Sequence, residues 1–393
     1  MKKISKWIKV TLLGTAVVVI LGSLAVYGLV NKRPTPPSVA ADSRPYQWNK
    51  VELGEQVRSS DGSKYHLLTR TGENRNWIIF FSGGGVSWDA QSAAHPIKIM
   101  NFLTGKDAGN YFANIPFYLL NLLGGMTDTE HADNPFKEWN VVYIPYSTGD
   151  FHIGSRKAEY TKEDGSPFTM NYNGRSNVES SLEWIYAHVD NPEKLLIAGE
   201  SAGGFGSSFW AGAIAEHYKE AQIYQYSDSS FLYSDKWPDI IDKEWQADFA
   251  ENFGYPAQAD LIGAAFQGNR RKLPENAVLL QSYSLYDEVL ISFQNRINGE
   301  DGPLDLQMIN TWSQQMRESV RQLDSSLPNY YYYLTDDGRN PQTGTTSHTF
   351  ATRDVFYTTK QDGIRLVDWL DDIVNKQSMY SVGHEFIEQT GEE

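Results

Sequence analysis

Six short apolar runs, each bounded by turn-forming residues, constrain this chain more than any other feature. They are Trp77–Phe81 (WIIFF), Asn140–Ile144 (NVVYI), Lys194–Ala198 (KLLIA), Gln222–Tyr226, Ala277–Gln281 (AVLLQ) and Tyr330–Leu334 (YYYYL). Each is too short for an independent helix, and helical patterns fall between several of them, at Ser176–His188, Ala202–Lys219 and Leu304–Leu323, with a last one at Ile364–Asn375. A β-rich stretch, Lys50–Leu68, precedes them, and no internal repeat is present. Strand, helix and strand in series imply right-handed crossovers onto a mainly parallel sheet with helices on both faces, an α/β class. The 393 residues suit one large domain, read here as 46–376 and beginning near Tyr46, with a polar C-terminal tail at 377–393. Residues 87–138 form a long connection with apolar stretches at Ile97–Leu103 and Tyr111–Leu123. Connections of that length are commonly functional. The two readings are a cap walling an apolar pocket and a peripheral helical insertion packed on the sheet edge.

The N-terminus has its own logic. Val10–Val30 is an uncharged, mostly apolar stretch of 21 residues, about the 20 needed to cross a hydrocarbon core. Lys2, Lys3, Lys6 and Lys9 precede it against Lys32 and Arg33 after it. The positive-inside bias makes 1–9 a cytoplasmic tail, 10–30 a transmembrane signal anchor and the remainder extracytoplasmic on a single-pass cell-membrane protein. The alternative is secretion after cleavage at Ser38-Val39-Ala40, before Ala41, but Lys32, Arg33 and three prolines separate that site from the apolar run. Pro34, Pro36 and Pro37 make 31–45 a stiff linker.

Charge and cysteine content exclude whole classes. The net charge is −15, and the first 30 residues hold four lysines and no acid, so the remainder sits at −19. Such a field repels nucleic acid phosphates. The absence of cysteine removes disulfides, thiolate zinc sites and cysteine nucleophiles. The 23 Tyr, 18 Phe and 11 Trp serve either a core or a carbohydrate-stacking surface, and the core has the larger claim.

The run KLLIA leads directly into Gly199-Glu200-Ser201-Ala202-Gly203-Gly204 and a helical pattern. A G-x-S-x-G between strand and helix is the setting of a nucleophile elbow, in which flanking glycines leave room for a sharp turn and the helix N-terminus faces a developing oxyanion. Ser201 is therefore the candidate nucleophile. A serine at its ordinary pKa needs a base and the base a carboxylate, in chain order Ser, acid, His. Three histidines follow Ser201. His217 falls inside the helix after the elbow and His384 in the charged tail, whereas His348 sits in a polar loop soon after YYYYL, where the base should enter. Asp287, the first carboxylate past AVLLQ, is the favoured acid, with Glu288 and Asp228 as alternatives. Ser82-Gly83-Gly84-Gly85 follows WIIFF directly, and its backbone N–H groups can join that of Ala202 in an oxyanion hole.

These residues resemble the pectin acetylesterase and Notum group of α/β-hydrolases. The likeness rests on ordered landmarks: Gly83-Gly84-Gly85, Asn134-Pro135-Phe136, Trp139-Asn140, Val142-Tyr143-Ile144-Pro145-Tyr146, Gly149-Asp150 with Gly154, Ala198 to Gly204, Tyr286-Asp287-Glu288 and Ser347-His348. They span about residues 77 to 350. The resemblance implies an α/β-hydrolase fold, a triad of Ser201, Asp287 and His348, and oxyanion donors at Gly84, Gly85 and Ala202. Plant and animal members are cysteine-rich after the glycines, whereas Val86-Ser87-Trp88 stands here.

The expected function is serine carboxylester hydrolysis outside the cytoplasm, with an O-acetylated polysaccharide as first substrate and no metal or cofactor. A lipid or general short-chain acyl esterase is the alternative within that chemistry. A catalytically inactive surface binding protein is the alternative outside it. The lysine bias yields a topological prediction: protease added to intact cells should shave off the domain beyond residue 45. Resistance until lysis contradicts the orientation, and a mature N-terminus near Ala41 contradicts the anchor.

Overall fold

The computed structural model describes residues 15, 17, 18, 20–22, 45–98, 101, 109–300 and 302–388. The apolar segment 10–30 and its flanks therefore lie for the most part outside the described residues. Among the described residues no helix is long and apolar enough to cross a membrane.

The centre is an eight-stranded sheet in the order β1-β2-β4-β3-β7-β8-β9-β10. Its strands are β1 (Trp48–Glu52), β2 (His66–Arg70), β3 (Trp77–Phe81), β4 (Asn140–Ile144), β7 (Lys194–Glu200), β8 (Gln222–Asp228), β9 (Val278–Ser284) and β10 (Tyr330–Thr335). The β1–β2 and β2–β4 pairs are antiparallel, and every pair from β4 to β10 is parallel. β5 (Lys157–Thr161) and β6 (Pro167–Asn171) form a separate antiparallel hairpin. All six apolar runs are strands, and the mainly parallel sheet expected from them is present.

The helices that matter here are α1 (Gly174–His188), α2 (Ala202–His217), α3 (Leu261–Arg270), α4 (Glu288–Asn298), α5 (Leu306–Ser326) and α6 (Leu366–Val374). α5 shows why such stretches are helical. Asp305 caps it by accepting from Met308 N at 2.8 Å, and Ile309, Trp312, Met316, Val320 and Leu323 put one apolar stripe on the core.

Side chains alternate across the sheet into two cores. Ile79, Phe81, Leu195 and Ile197 join the core that holds residues of α1 to α5, while Ile78, Phe80, Leu196 and Ala198 join the one that holds α6. Trp237, Trp245, Trp312, Trp369 and Trp139 are fully buried, which gives these aromatics to packing.

The structure adds detail at two places. Residues from 377, expected as a polar tail, pack down as far as residue 388. Val382 bridges Tyr333, Ile387 is buried, and Arg317 and Arg321 of α5 donate to the carbonyls of Phe386 and Ile387. Two apolar residues among charged neighbours are enough once arginines satisfy the backbone. The insertion 87–138 carries short helices at Ala90–Ala93 and Leu119–Leu122 and a 3-10 turn at Gly125–Thr127. It packs between two loops at one end of the sheet: Tyr111 bridges Gly85, and Met126 N donates to Ala351 O at 2.8 Å.

The chain runs from β3 outward to β4 and returns to β7 on the other side of β3. That reversal makes the crevice beyond the C-terminal ends of β3 and β7 the natural binding position of such a sheet.

Candidate active site

Ser201 is the single residue between the end of β7 at Glu200 and the start of α2 at Ala202. It has φ 52° and ψ −127°, a conformation costing a non-glycine residue on the order of 1–3 kcal/mol. Its N–H donates to Asp228 O at 2.9 Å, and its carbonyl accepts from Ser230 Oγ at 2.8 Å, so both neighbouring peptides are held. A β-carbon on Gly199 would lie 2.1 Å from Gly203 O, and one on Gly203 would lie 2.0 Å from Phe81 O. The two glycines are therefore obligatory: strand, turn and helix touch through backbone alone.

His348 Nδ1 lies 2.7 Å from Asp287 Oδ2. The other oxygen of Asp287, Oδ1, accepts from Val289 N at 3.1 Å and Leu290 N at 3.0 Å, so Asp287 also caps α4. A carboxylate locked by two amides has its remaining oxygen aimed, and here it is aimed at the imidazole. Because that oxygen accepts, Nδ1 carries the proton and Nε2 is left as the basic nitrogen. Nε2 is buried without a hydrogen-bond partner. Glu288, the neighbouring alternative, turns away and accepts from Thr345 Oγ1 at 3.2 Å.

Asp228, the other alternative, is fully buried and meets the His348 loop elsewhere. Its Oδ2 accepts from Phe350 N at 2.7 Å and Ala351 N at 2.8 Å, and its Oδ1 from Ser282 Oγ at 2.8 Å and Ser229 Oγ at 3.0 Å. Glu200 stands opposite Asp228 in the β7–β8 ladder and holds the next residue, accepting from Thr352 Oγ1 at 2.7 Å and Thr352 N at 3.2 Å. The side chains bordering Ser201 thus pin the histidine loop to the strand ends. The other two histidines are occupied: His217 stacks on Tyr186 with centroids 3.8 Å apart, and His384 Nδ1 meets Tyr332 Oη at 2.6 Å.

Burial in this region moves the acids strongly. Desolvation, then the charge of Asp228, pushes Glu200 up to about 7, and desolvation raises Asp228 as well. For His348, burial pulls the imidazolium down, but the charge and hydrogen bond of Asp287, with Asp228 and Glu200 behind it, outweigh that and leave the pKa raised.

The glycine-rich loop reaches the same place. A β-carbon on Gly83 would lie 2.8 Å from Ser201 Cβ, so this loop lies directly on the elbow. Gly84 and Gly85 have φ of 157° and 83°, and Gly84 O accepts from Phe112 N at 3.0 Å, which ties them to the insertion. Ala202 opens α2, where a helix leaves its first amides without partners within the helix, and the N-cap side chain supplies none. Among the described residues no group of three His, Asp or Glu side chains is arranged to hold a metal.

Residues 49–253, just over half of the chain, match the family model described as Pectinacetylesterase. The chain belongs to the pectinacetylesterase family. It is 25% identical over 191 residues to the palmitoleoyl-protein carboxylesterase NOTUM of Schmidtea mediterranea, an alignment covering 46% of this chain and 33% of that relative. The chain thus spans about a third of the curated relative it matches. Two crystal forms of the Wnt deacylase Notum from Drosophila share its fold. One has a TM-score of 0.58 at 16% identity, covering 87% of this chain and 96% of that one. The other has 0.54 at 17%, covering 82% and 91%. The family is one of ester-hydrolysing enzymes, and the mostly parallel sheet with its helices is the Notum-like α/β fold.

Sequence reasoning missed Glu200 and Asp228 as clamps, although Glu200 is the variable position beside the serine in the G-x-S-x-G pattern. Two predictions follow from the geometry. Asp287→Asn should keep the fold but lower kcat on the order of 10⁴-fold, because the tautomer-fixing acceptor is lost. Asp228→Asn and Glu288→Gln should cost far less, and a larger kcat loss for Asp228→Asn would overturn the assignment. The second prediction concerns stability. Because folding raises Glu200 from 4.5 to about 7, its contribution is full below pH 4.5 and is lost as pH climbs through about 7. The wild-type thermal midpoint should fall across that window more steeply than that of Glu200→Gln, and equal slopes would remove Glu200 from the balance.

Proposed function

We propose that this protein is a serine carboxylesterase with Ser201 as nucleophile, His348 as general base and acid, and Asp287 as the orienting carboxylate. His348 Nε2 takes the Ser201 proton as Oγ attacks the acyl carbon, and the imidazolium then protonates the leaving alcohol. Water, deprotonated by the same nitrogen, attacks the acyl-enzyme and releases the carboxylic acid. The amides of Ala202 and of Gly84 and Gly85 are the candidate donors to the tetrahedral oxyanion. The observation that carries this reading is the Asp287–His348 pair on a loop clamped by Glu200 and Asp228, the acids that border Ser201. The presence of serine, histidine and aspartate together with the glycine-rich loop speaks against an inert binding protein.

For substrate we propose an O-acetylated polysaccharide, in keeping with the family. Anchoring through residues 10–30 with the domain outside the cytoplasm would set the site among glycans. The acidic surface disfavours unmodified, fully anionic polymers. A longer acyl group is the second reading. It is favoured by the resemblance to a palmitoleoyl-protein carboxylesterase and by Phe117 and Leu122, 79% and 52% exposed on the insertion that packs against the histidine loop. Ser201→Ala should lower p-nitrophenyl acetate hydrolysis by more than about 10³-fold while leaving the thermal midpoint unchanged. Purified mutant activity within a few-fold of wild type excludes Ser201. Comparison of acetyl with octanoyl esters on the wild type separates the two substrate readings.

A further inference from the structure

The stretch after β4 is buried, strained and unused by the chemistry above. Phe151 and His152 follow one another at φ 51° and 66°, a conformation that two non-glycine residues keep only where their surroundings impose it. The surroundings are specific. Asp150, fully buried, accepts from Thr148 Oγ1 at 2.6 Å, from His152 N at 3.2 Å and from Gly174 N at 2.9 Å, and Phe151 N donates to Tyr146 Oη at 2.9 Å.

What this device delivers is the His152 ring. It is 2% exposed and lies edge-on to Phe81 and against Tyr146. A β-carbon on Gly206 of α2 would come within 2.6 Å of it. Nε2 lies 3.0 Å from Ser82 O. A carbonyl only accepts, so Nε2 carries the proton and donates. Burial pulls the pKa down to about 4, so the ring is neutral near pH 7 and Nδ1 has no proton. Ser82 is otherwise held by its N–H on Ile144 O at 3.0 Å and by Tyr146 N on its Oγ at 2.8 Å. The direction of the Ser82 carbonyl is the remaining freedom, and His152 takes it.

We infer that His152, set by Asp150, is a positioning residue for the oxyanion site, because holding the Ser82 carbonyl orients the Ser82–Gly83 peptide beside Ser201. In a trans peptide the N–H points opposite to the C=O, so the Gly83 amide faces away from His152. Gly83 itself packs on Ser201, and it becomes a further candidate donor to the oxyanion. The inference rests on the esterase reading of Ser201 and deepens it.

The test uses the full chain in detergent, with kcat and KM for p-nitrophenyl acetate and the inhibition constant of phenylboronic acid, whose tetrahedral adduct on serine places an oxygen in the oxyanion site. His152→Leu keeps bulk and removes the donor, and His152→Gln returns an N–H at similar reach. The leucine variant should lose on the order of tenfold or more in kcat with little change in KM, and boronate affinity should fall by a similar factor. The glutamine variant should recover most of both. Equal losses in the two variants, or a kcat loss without loss of boronate affinity, overturns the inference. If His152→Leu does not fold, His152→Asn, too short to reach Ser82, takes its place under the same criteria. A wild type no faster than Ser201→Ala overturns the esterase reading and this inference with it, whereas an active wild type with unaffected His152 variants overturns the inference alone.

Discussion

Glu200 and Asp228 sit side by side at the ends of β7 and β8, and water does not reach the carboxylate of Asp228. Taking a carboxylate out of water costs several kcal/mol unless hydrogen bonds replace the hydration. Four of the six replacements come from one distant loop, the amides of Phe350, Ala351 and Thr352 and the Thr352 hydroxyl, and the hydroxyls of Ser229 and Ser282 supply the other two. The loop that carries His348 is therefore not free to sit elsewhere, since lifting it would strand the buried Asp228 and the half-buried Glu200. The same negative edge works against desolvation of the imidazolium and keeps its pKa up. One set of interactions thus decides where His348 stands and helps to decide when it is charged.

The sheet makes that arrangement reachable. The glycine-rich loop, the elbow, the Asp228–Ser230 corner, the Asp287 cap and the histidine loop follow the C-terminal ends of β3, β7, β8, β9 and β10, and parallel strands bring all five ends to one edge. Contributions more than 260 residues apart in sequence meet because neighbouring strands share a direction. Backbone contact fixes the closest approaches, with Gly199 on Gly203, Gly203 on Phe81 and Gly83 on Ser201.

How much of this could be read beforehand follows from which physics left a local trace. The strands were legible because their centres are apolar, but the readings stopped at Ala198 and Tyr226, two residues short of Glu200 and Asp228. The ladder continues through those polar ends, and hydrophobicity is blind to them. The hairpin of β5 and β6 was missed for a similar reason, since Lys157, Glu159 and their neighbours present a largely exposed and partly charged surface. The elbow was legible because glycine spacing is a chemical necessity at that turn. Asp228 could not be ranked on spacing alone: what separates it from Asp287 is which loop residue each carboxylate meets, and that is tertiary information. Gly149-Asp150 stood out as a landmark, yet nothing local reveals that it places a histidine on the Ser82 carbonyl.

Asp287 shows how a site residue can be a consequence of folding chemistry. An aspartate ahead of α4 would be worth keeping for the helix alone, since a side chain bonded to the first free amides contributes about 1 kcal/mol. That bond uses Oδ1 and stops the carboxylate from rotating. The parallel bridge between Asp287 and Thr346 sets the neighbouring backbone at fixed distance, and His348 is two residues further on. With one oxygen locked by the helix and the loop held in register, Oδ2 and Nδ1 meet without a second ordering cost. A glutamate at the next position has a longer chain and no such lock. Helix capping, and not merely proximity, is what distinguishes the carboxylate that meets His348 from the acid beside it.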